Sequence, residues 1–107
     1  LNRCTISLHK VDFSNEHLDL FFEVSSVLET YETFPDKMED LLLQKKILCS
    51  KKMPHRKIYL DYEGEISNQR GFISILWKGI YQNDKNLFPE EIEVSLQGDK
   101  ILLVEYC

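Results

Sequence analysis

His17-Leu18-Asp19-Leu20-Phe21-Phe22-Glu23-Val24 divides into two faces when laid out as a β-strand, because successive side chains point to opposite sides. Leu18, Leu20, Phe22 and Val24 make a wholly apolar face that belongs in a core, and His17, Asp19, Phe21 and Glu23 make the other. An imidazole and a carboxylate two positions apart on one face stand roughly 6.5–7 Å apart at Cα, so both side chains can reach one ion. Nitrogen and oxygen donors together suit Mn²⁺, Fe²⁺ or Zn²⁺. His9, one short connection upstream, is the candidate third donor. A His-x-Asp triplet alone is more often a hydrogen-bonded surface pair, so the rest of the chain has to decide.

Upstream, Thr5-Ile6-Ser7-Leu8 alternates as a first strand ending at His9, and residues 10–16 carry the Asp, Ser and Asn of a loop. If the two strands pair as a hairpin, His9 and His17 meet. Downstream, Val27 to Phe34 reads as a third strand. Pro35, early acids and following lysines predict a helix over residues 36–44, with Met38, Leu41 and Leu42 as its core stripe. A short strand over 47–49, a basic loop over 50–54 and a strand over 56–62 come next. Residues 68–71 form a turn, and Phe72 to Gln82 is a long strand with a bulge or bend expected at Gly79. Residues 92–96 and 100–106 complete a terminal hairpin across Gln97-Gly98-Asp99. Seven or eight short strands with one helix predict a mostly antiparallel sheet closed as a small β-barrel. In a barrel alternate side chains point inward, so His17, Asp19, His55 and Tyr59 are expected to face a common cavity or mouth.

The chain of 107 residues is the size of one domain, and 43% apolar with 29% charged residues is ordinary globular composition. No apolar run approaches the ~20 residues of a membrane span, and no signal-peptide pattern opens the sequence. Cys4, Cys49 and Cys107 are odd in number and widely spaced, which fits reduced buried thiols, a cytoplasmic location and a monomer without a disulfide framework. The net charge of −5 excludes a generic nucleic-acid coat. Residues 29–40 concentrate acids, however, and Lys45, Lys46, Lys51, Lys52, Arg56 and Lys57 follow with no acid between them. Such a stripe steers a phosphate-bearing ligand or is simply a solvated face. No Gly-x-Ser-x-Gly, P-loop or Rossmann fingerprint is present.

His55-Arg56-Lys57-Ile58-Tyr59-Leu60-Asp61-Tyr62-Glu63-Gly64 resembles the His-Pro-x-x-Tyr-x-x-Phe-Glu-Gly segment of the 3′-phosphoesterase domain of bacterial DNA ligase D. That family's His…His-Tyr-Asp-Phe-Arg-Leu-Glu is similar to His9…His17-Leu18-Asp19-Leu20-Phe21-Phe22-Glu23, and Val27-Leu28-Glu29-Thr30-Tyr31 resembles its Val-Leu-x-Ser-Trp. Short stand-alone relatives, with Leu-Asp-Tyr-Glu-Gly and then Ser-x-x-Arg-Gly, resemble the chain more closely still. The likeness runs over residues 4–82 in the same order. It implies a metal-dependent phosphoesterase that heals DNA or RNA–DNA 3′ ends by removing a 3′-phosphate or a terminal ribonucleotide. By position it makes His9, His17 and Asp19 ligands of Mn²⁺, or of another divalent transition metal. His55 and Tyr59 become groups that contact the scissile phosphate, the histidine as a cation. Lys51, Lys52, Arg56 and Arg70 are the basic residues left to bind phosphate or strand backbone. The implied partners are nucleic-acid 3′ ends and a DNA ligase or polymerase of a repair system, with no membrane.

Phe21 stands where the family has an arginine, and the loop after Glu63-Gly64 is shorter. These differences leave open a non-catalytic barrel that binds nucleic-acid ends or a repair partner. The metal reading further requires that the two imidazoles face each other and that no lysine ties up Asp19.

Overall fold

The structure, a computed structural model, describes residues 2–105. Tyr106 and Cys107 lie outside them.

The described chain forms β1 (Arg3–Asp12), β2 (Asn15–Val24), β3 (Val27–Thr33), α1 (Lys37–Leu42), β4 (Ile47–Arg56), a single 3₁₀ turn (Lys57–Leu60), β5 (Gly64–Glu65), β6 (Phe72–Gln82), β7 (Glu91–Gln97) and β8 (Lys100–Glu105). The hydrogen-bonded order is β1-β2-β3-β4-β7-β8-β6-β5, and β1 also pairs with β6. That extra pairing closes seven strands into a barrel, with β5 as an added strand on β6. All pairings are antiparallel except β6 with β8.

The interior is filled by alternate residues from every barrel strand, among them Ile6, Leu18, Leu20, Phe22, Tyr31, Val94 and Ile101. Leu41 of α1 enters this core with Met38 packed against it, but Leu42 is exposed. The helix is six residues long, and of the expected three-residue stripe only Leu41 is fully buried. Buried Cys4 and Cys49 are free thiols whose pKa values burial pushes up, that of Cys49 to about 12.

The second face of β2 is buried too. Phe21 packs with Leu28, Leu60 and Ile73 on the outside of the wall, beneath the segment 57–71. That segment is a flap, held down by Leu60 and by a Thr5 hydroxyl donating to the Leu60 carbonyl at 2.7 Å. Where β5 runs out, the Glu63 carboxylate accepts from the Ile75 N–H at 2.8 Å. Consecutive left-handed residues Asn68 and Gln69 turn the flap back, and Gly71 (φ +102°) returns it under the Lys10 backbone, where a Cβ would collide.

Two bulges set which side chains face outward. On β6 the extra residue is Leu76, between Ile75 opposite Ser7 and Trp77 opposite Ile6, so Ile73 joins the outer cluster and Trp77 packs on the core. Gly79, where the sequence predicted the bulge, is instead a place where the Trp77 ring comes within 2.5 Å of the point a Cβ would occupy. On β4 two residues, Met53 and Pro54, face the single Glu29 between Leu28↔His55 and Thr30↔Lys52. A bulge tolerates the missing N–H of proline. The expected basic loop is therefore continuous strand, and the expected strand over 56–62 is the 3₁₀ turn and flap.

Arg3 grips Glu23 through two N–H groups at 3.1 and 2.9 Å, and Lys57 Nζ adds a contact at 3.0 Å. The Arg3 hydrogen bond, then that of Lys57, holds the Glu23 pKa at about 2, below its ordinary 4.5. Because the folded-state value is depressed, this stabilisation is complete above pH 4.5 and is lost as pH falls toward about 2. Glu23→Gln is expected to be less stable than the parent at neutral pH and to lose less stability on acidification. Urea midpoints at pH 7 and pH 3 measure both; identical pH slopes would contradict the assignment.

Candidate metal centre

The connection between β1 and β2 is a tight turn at Phe13 and Ser14, with the Asp12 carboxylate accepting from the Ser14 N–H at 3.0 Å. The strands therefore reach further than the sequence predicts, and His9 pairs directly with His17, as Ser7 does with Asp19. All four point to the outer wall, away from the barrel interior expected from the sequence. Polar groups gain from this placement, since the interior is a packed hydrocarbon core and the outer groove keeps contact with solvent.

The imidazoles face each other, with His9 Nδ1 3.2 Å from His17 Nε2. The Asp19 carboxylate places Oδ1 3.2 Å from His17 Nε2 and Oδ2 3.6 Å from His9 Nδ1. Ligand atoms around one divalent ion at bond lengths of about 2.0–2.2 Å are themselves about 3–3.6 Å apart, so these separations fit a shared ion. Three further observations support the fit. His9 Nε2 donates to the Arg70 carbonyl at 2.8 Å, which puts its proton on Nε2 in the neutral ring and aims the Nδ1 lone pair at the cluster. Asp19 Oδ1 is buried and makes no hydrogen bond of acceptable geometry. Burial works against the Asp19 carboxylate, but the imidazoles of His17 and His9 and the Lys52 ammonium outweigh it, and its pKa lies well below the carboxylate range. The same carboxylate raises the His9 pKa against the effect of burial.

Beside this triad a cleft of about 370 Å³ is lined by His9, Asp19, Phe21, His55, Arg56, Tyr59 and Arg70, among others. The β4 bulge matters here: it lets Lys52 and His55, three positions apart, share the outer face. His55 Nδ1 lies 3.0 Å from the Met53 carbonyl, to which it donates, and 3.1 Å from Thr30 Oγ1. Burial is the main cause of its lowered pKa. Donation to the Met53 carbonyl puts the proton of the neutral ring on Nδ1 and leaves Nε2 as an acceptor. Tyr59 stands edge-on to His55, ring centroids 5.8 Å apart, and the Arg56 guanidinium lies 5.8 Å from the Tyr59 ring centre.

The remaining basic candidates are placed differently. Lys51 pairs with Tyr31 on the opposite face of β4, where it donates to the Phe88 carbonyl at 2.7 Å and lies 3.5 Å from Glu29. It is not part of the cleft. The Arg70 guanidinium is held in its own turn by Ser67, and its contribution is the backbone carbonyl that orients His9. The lysine stripe is largely neutralised by neighbouring acids: Lys45 pairs with Asp40, Lys57 with Glu23, and Lys52 with Glu32 and, at 3.8 Å, with Asp19, the lysine contact that the metal reading required to be absent. Sequence reasoning missed Thr30 and Glu32; the β3–β4 register places Thr30 against His55 and Glu32 against Lys52. No protein-family model matches the chain, and no curated protein matches it.

Proposed function

We propose that this protein is a metal-dependent phosphoesterase acting on 3′ ends of DNA or RNA–DNA, as in the ligase D 3′-phosphoesterase family it resembles. The observation that carries the proposal is the convergence of His9 Nδ1, His17 Nε2 and the Asp19 carboxylate within 3.2–3.6 Å, with His9 fixed by the Arg70 carbonyl. A divalent ion there, Mn²⁺ in that family, would supply Lewis acidity toward a phosphoryl oxygen. His55 accepts a proton or hydrogen bond at Nε2, and the Tyr59 hydroxyl and Arg56 guanidinium supply donors for phosphate oxygens. At about 370 Å³ the cleft lies toward the small end of ligand pockets, which suits a strand terminus. No described helix is long and apolar enough to cross a membrane. In this proposal the protein works in the cytoplasm as a monomer, alone or beside a DNA ligase or polymerase.

Phosphate should be released from a 3′-phosphorylated primer–template with Mn²⁺ and not with chelator, whereas a small aryl phosphate should be a poor substrate. Equal activity on both would indicate a general phosphatase. Complete burial of Phe21, where the family has an arginine, favours a second reading: a barrel that binds nucleic-acid ends without processing them. Salt-sensitive primer binding with no product under any divalent ion selects that reading.

A further inference from the structure

Lys52 sits on β4, and its side chain reaches across β3 to the triad on β1 and β2. Its ammonium lies 3.4 Å from His17 Nε2, 3.8 Å from Asp19 Oδ1 and 3.2 Å from Glu32 Oε1. The Asp19 distance is too long for a hydrogen bond, so Lys52 supplies charge to Asp19 without satisfying its buried oxygen. Glu32 pairs with Asp19 across β2 and β3, and its side chain is 42% exposed, on the solvent side of the ammonium.

We propose that Lys52 is a tethered cation that competes with a divalent ion for His9, His17 and Asp19, and that Glu32 is where it retreats when the ion binds. The inference rests on the proposed metal site and adds a device that sets its affinity. An ion among these donors brings further positive charge to within a few ångströms of the ammonium, in a groove only partly open to water. Lysine's flexible four-carbon stem lets the ammonium withdraw without moving the backbone. Glu32 already holds it at contact distance, so the withdrawal is a rotation toward a partner and not a release into solvent. Ordinary alternation along β4 turns Lys52 outward, and its ammonium thus sets how much metal the site needs.

Mn²⁺ titration of the full chain, followed by loss of the free-ion electron paramagnetic resonance signal, tests this without any substrate. Lys52→Met is expected to bind about tenfold tighter or more, the usual scale for removing one close charge. Lys52→Gln, an independent neutral variant, should follow it, and Lys52→Arg should bind like the parent. Glu32→Gln should weaken binding, and by more when Lys52 is present than in the Lys52→Met background, a non-additivity that identifies Lys52 as the intermediary. Thermal unfolding reports on the fold of each variant. A parent that binds Mn²⁺ while Lys52→Met and Lys52→Gln bind no tighter overturns the competition and leaves the site standing. Absence of binding in every protein, the neutral variants included, removes the site and the proposal with it.

Discussion

His17→Ala or Asp19→Ala is expected to lower Mn²⁺-dependent phosphate release from a 3′-phosphorylated primer roughly a thousandfold, because a bound metal supplies several kcal/mol at the transition state and each factor of ten takes about 1.4. The two residues fail for different reasons. His17 Nε2 is the atom nearest to every other member of the cluster, at 3.2 Å from both His9 Nδ1 and Asp19 Oδ1 and 3.4 Å from the Lys52 ammonium. Without it the remaining two donors cannot enclose an ion on this side. Asp19 brings the only carboxylate of the triad, and it is ionised far below neutral pH. Without it a divalent ion would sit beside Lys52 with no carboxylate among its donors. Asp19→Asn preserves the shape and removes the charge, so it should lose activity, and some stability at neutral pH as well, because the depressed pKa of Asp19 makes its charge stabilising above the ordinary carboxylate range. Primer binding should survive in all three variants, since Arg56 and Tyr59 belong to other elements. An unchanged rate in any of them, from protein free of host phosphatase, would overturn the metal assignment.

Much of this site was readable in the chain because strand alternation is strict. The two-residue spacing of His17 and Asp19 fixed them on one face, and a hairpin was enough to bring His9 across. The apolar face of Leu18, Leu20 and Phe22 points inward as alternation requires, and that same alternation excludes the interior cavity expected for His17 and Asp19, which lie on the outer wall. Alternation also concealed Phe21, which reads as a polar-face residue by position and is core by burial, because the flap covers that face. Bulges were invisible for a related reason. Met53-Pro54 looks like a loop by composition, and only pairing with β3 shows a strand that skips one step. That skip puts Lys52 and His55 on one face, whereas Lys51 and Lys52, neighbours in a charge stripe, part to opposite faces by simple alternation. Segment 57–62 alternates like a strand, yet the buried Leu60 and the Lys57 contacts with Glu23 and the Ser25 carbonyl anchor it as a turn of 3₁₀ helix across the wall. Local pattern identified most of the elements, and long-range register decided residues 50–62 and the neighbours.

Phe21 supplies the second large effect, and it separates a lost arginine from a structural residue. The ring is fully buried, packs with Leu28, Leu60 and Ile73, and lies 5.3 Å from His55 and 6.4 Å from Tyr59 between ring centroids. Phe21→Ala should destabilise the protein by about 3–5 kcal/mol, the range for an aromatic removed from a packed site. Phe21→Arg should cost at least as much, because Leu28, Leu60 and Ile73 offer a guanidinium no partner and Asp19, the acid of the adjoining cleft, is already engaged by His9, His17 and Lys52. Neither loss should be spread evenly. The outer cluster is what joins the flap to the barrel, so hydrogen exchange should accelerate over residues 57–71 before it does in β7 and β8. Loosening the flap withdraws the Arg70 carbonyl from His9 Nε2, and loss of such an outer partner lowers metal affinity about 10–100-fold. Phe21→Leu, which keeps most of the volume, should retain both the protected flap and the metal affinity. A stable Phe21→Arg protein with higher phosphoesterase activity would reverse the argument: the aromatic would then be a defect in a phosphate site and not the residue that holds the site together.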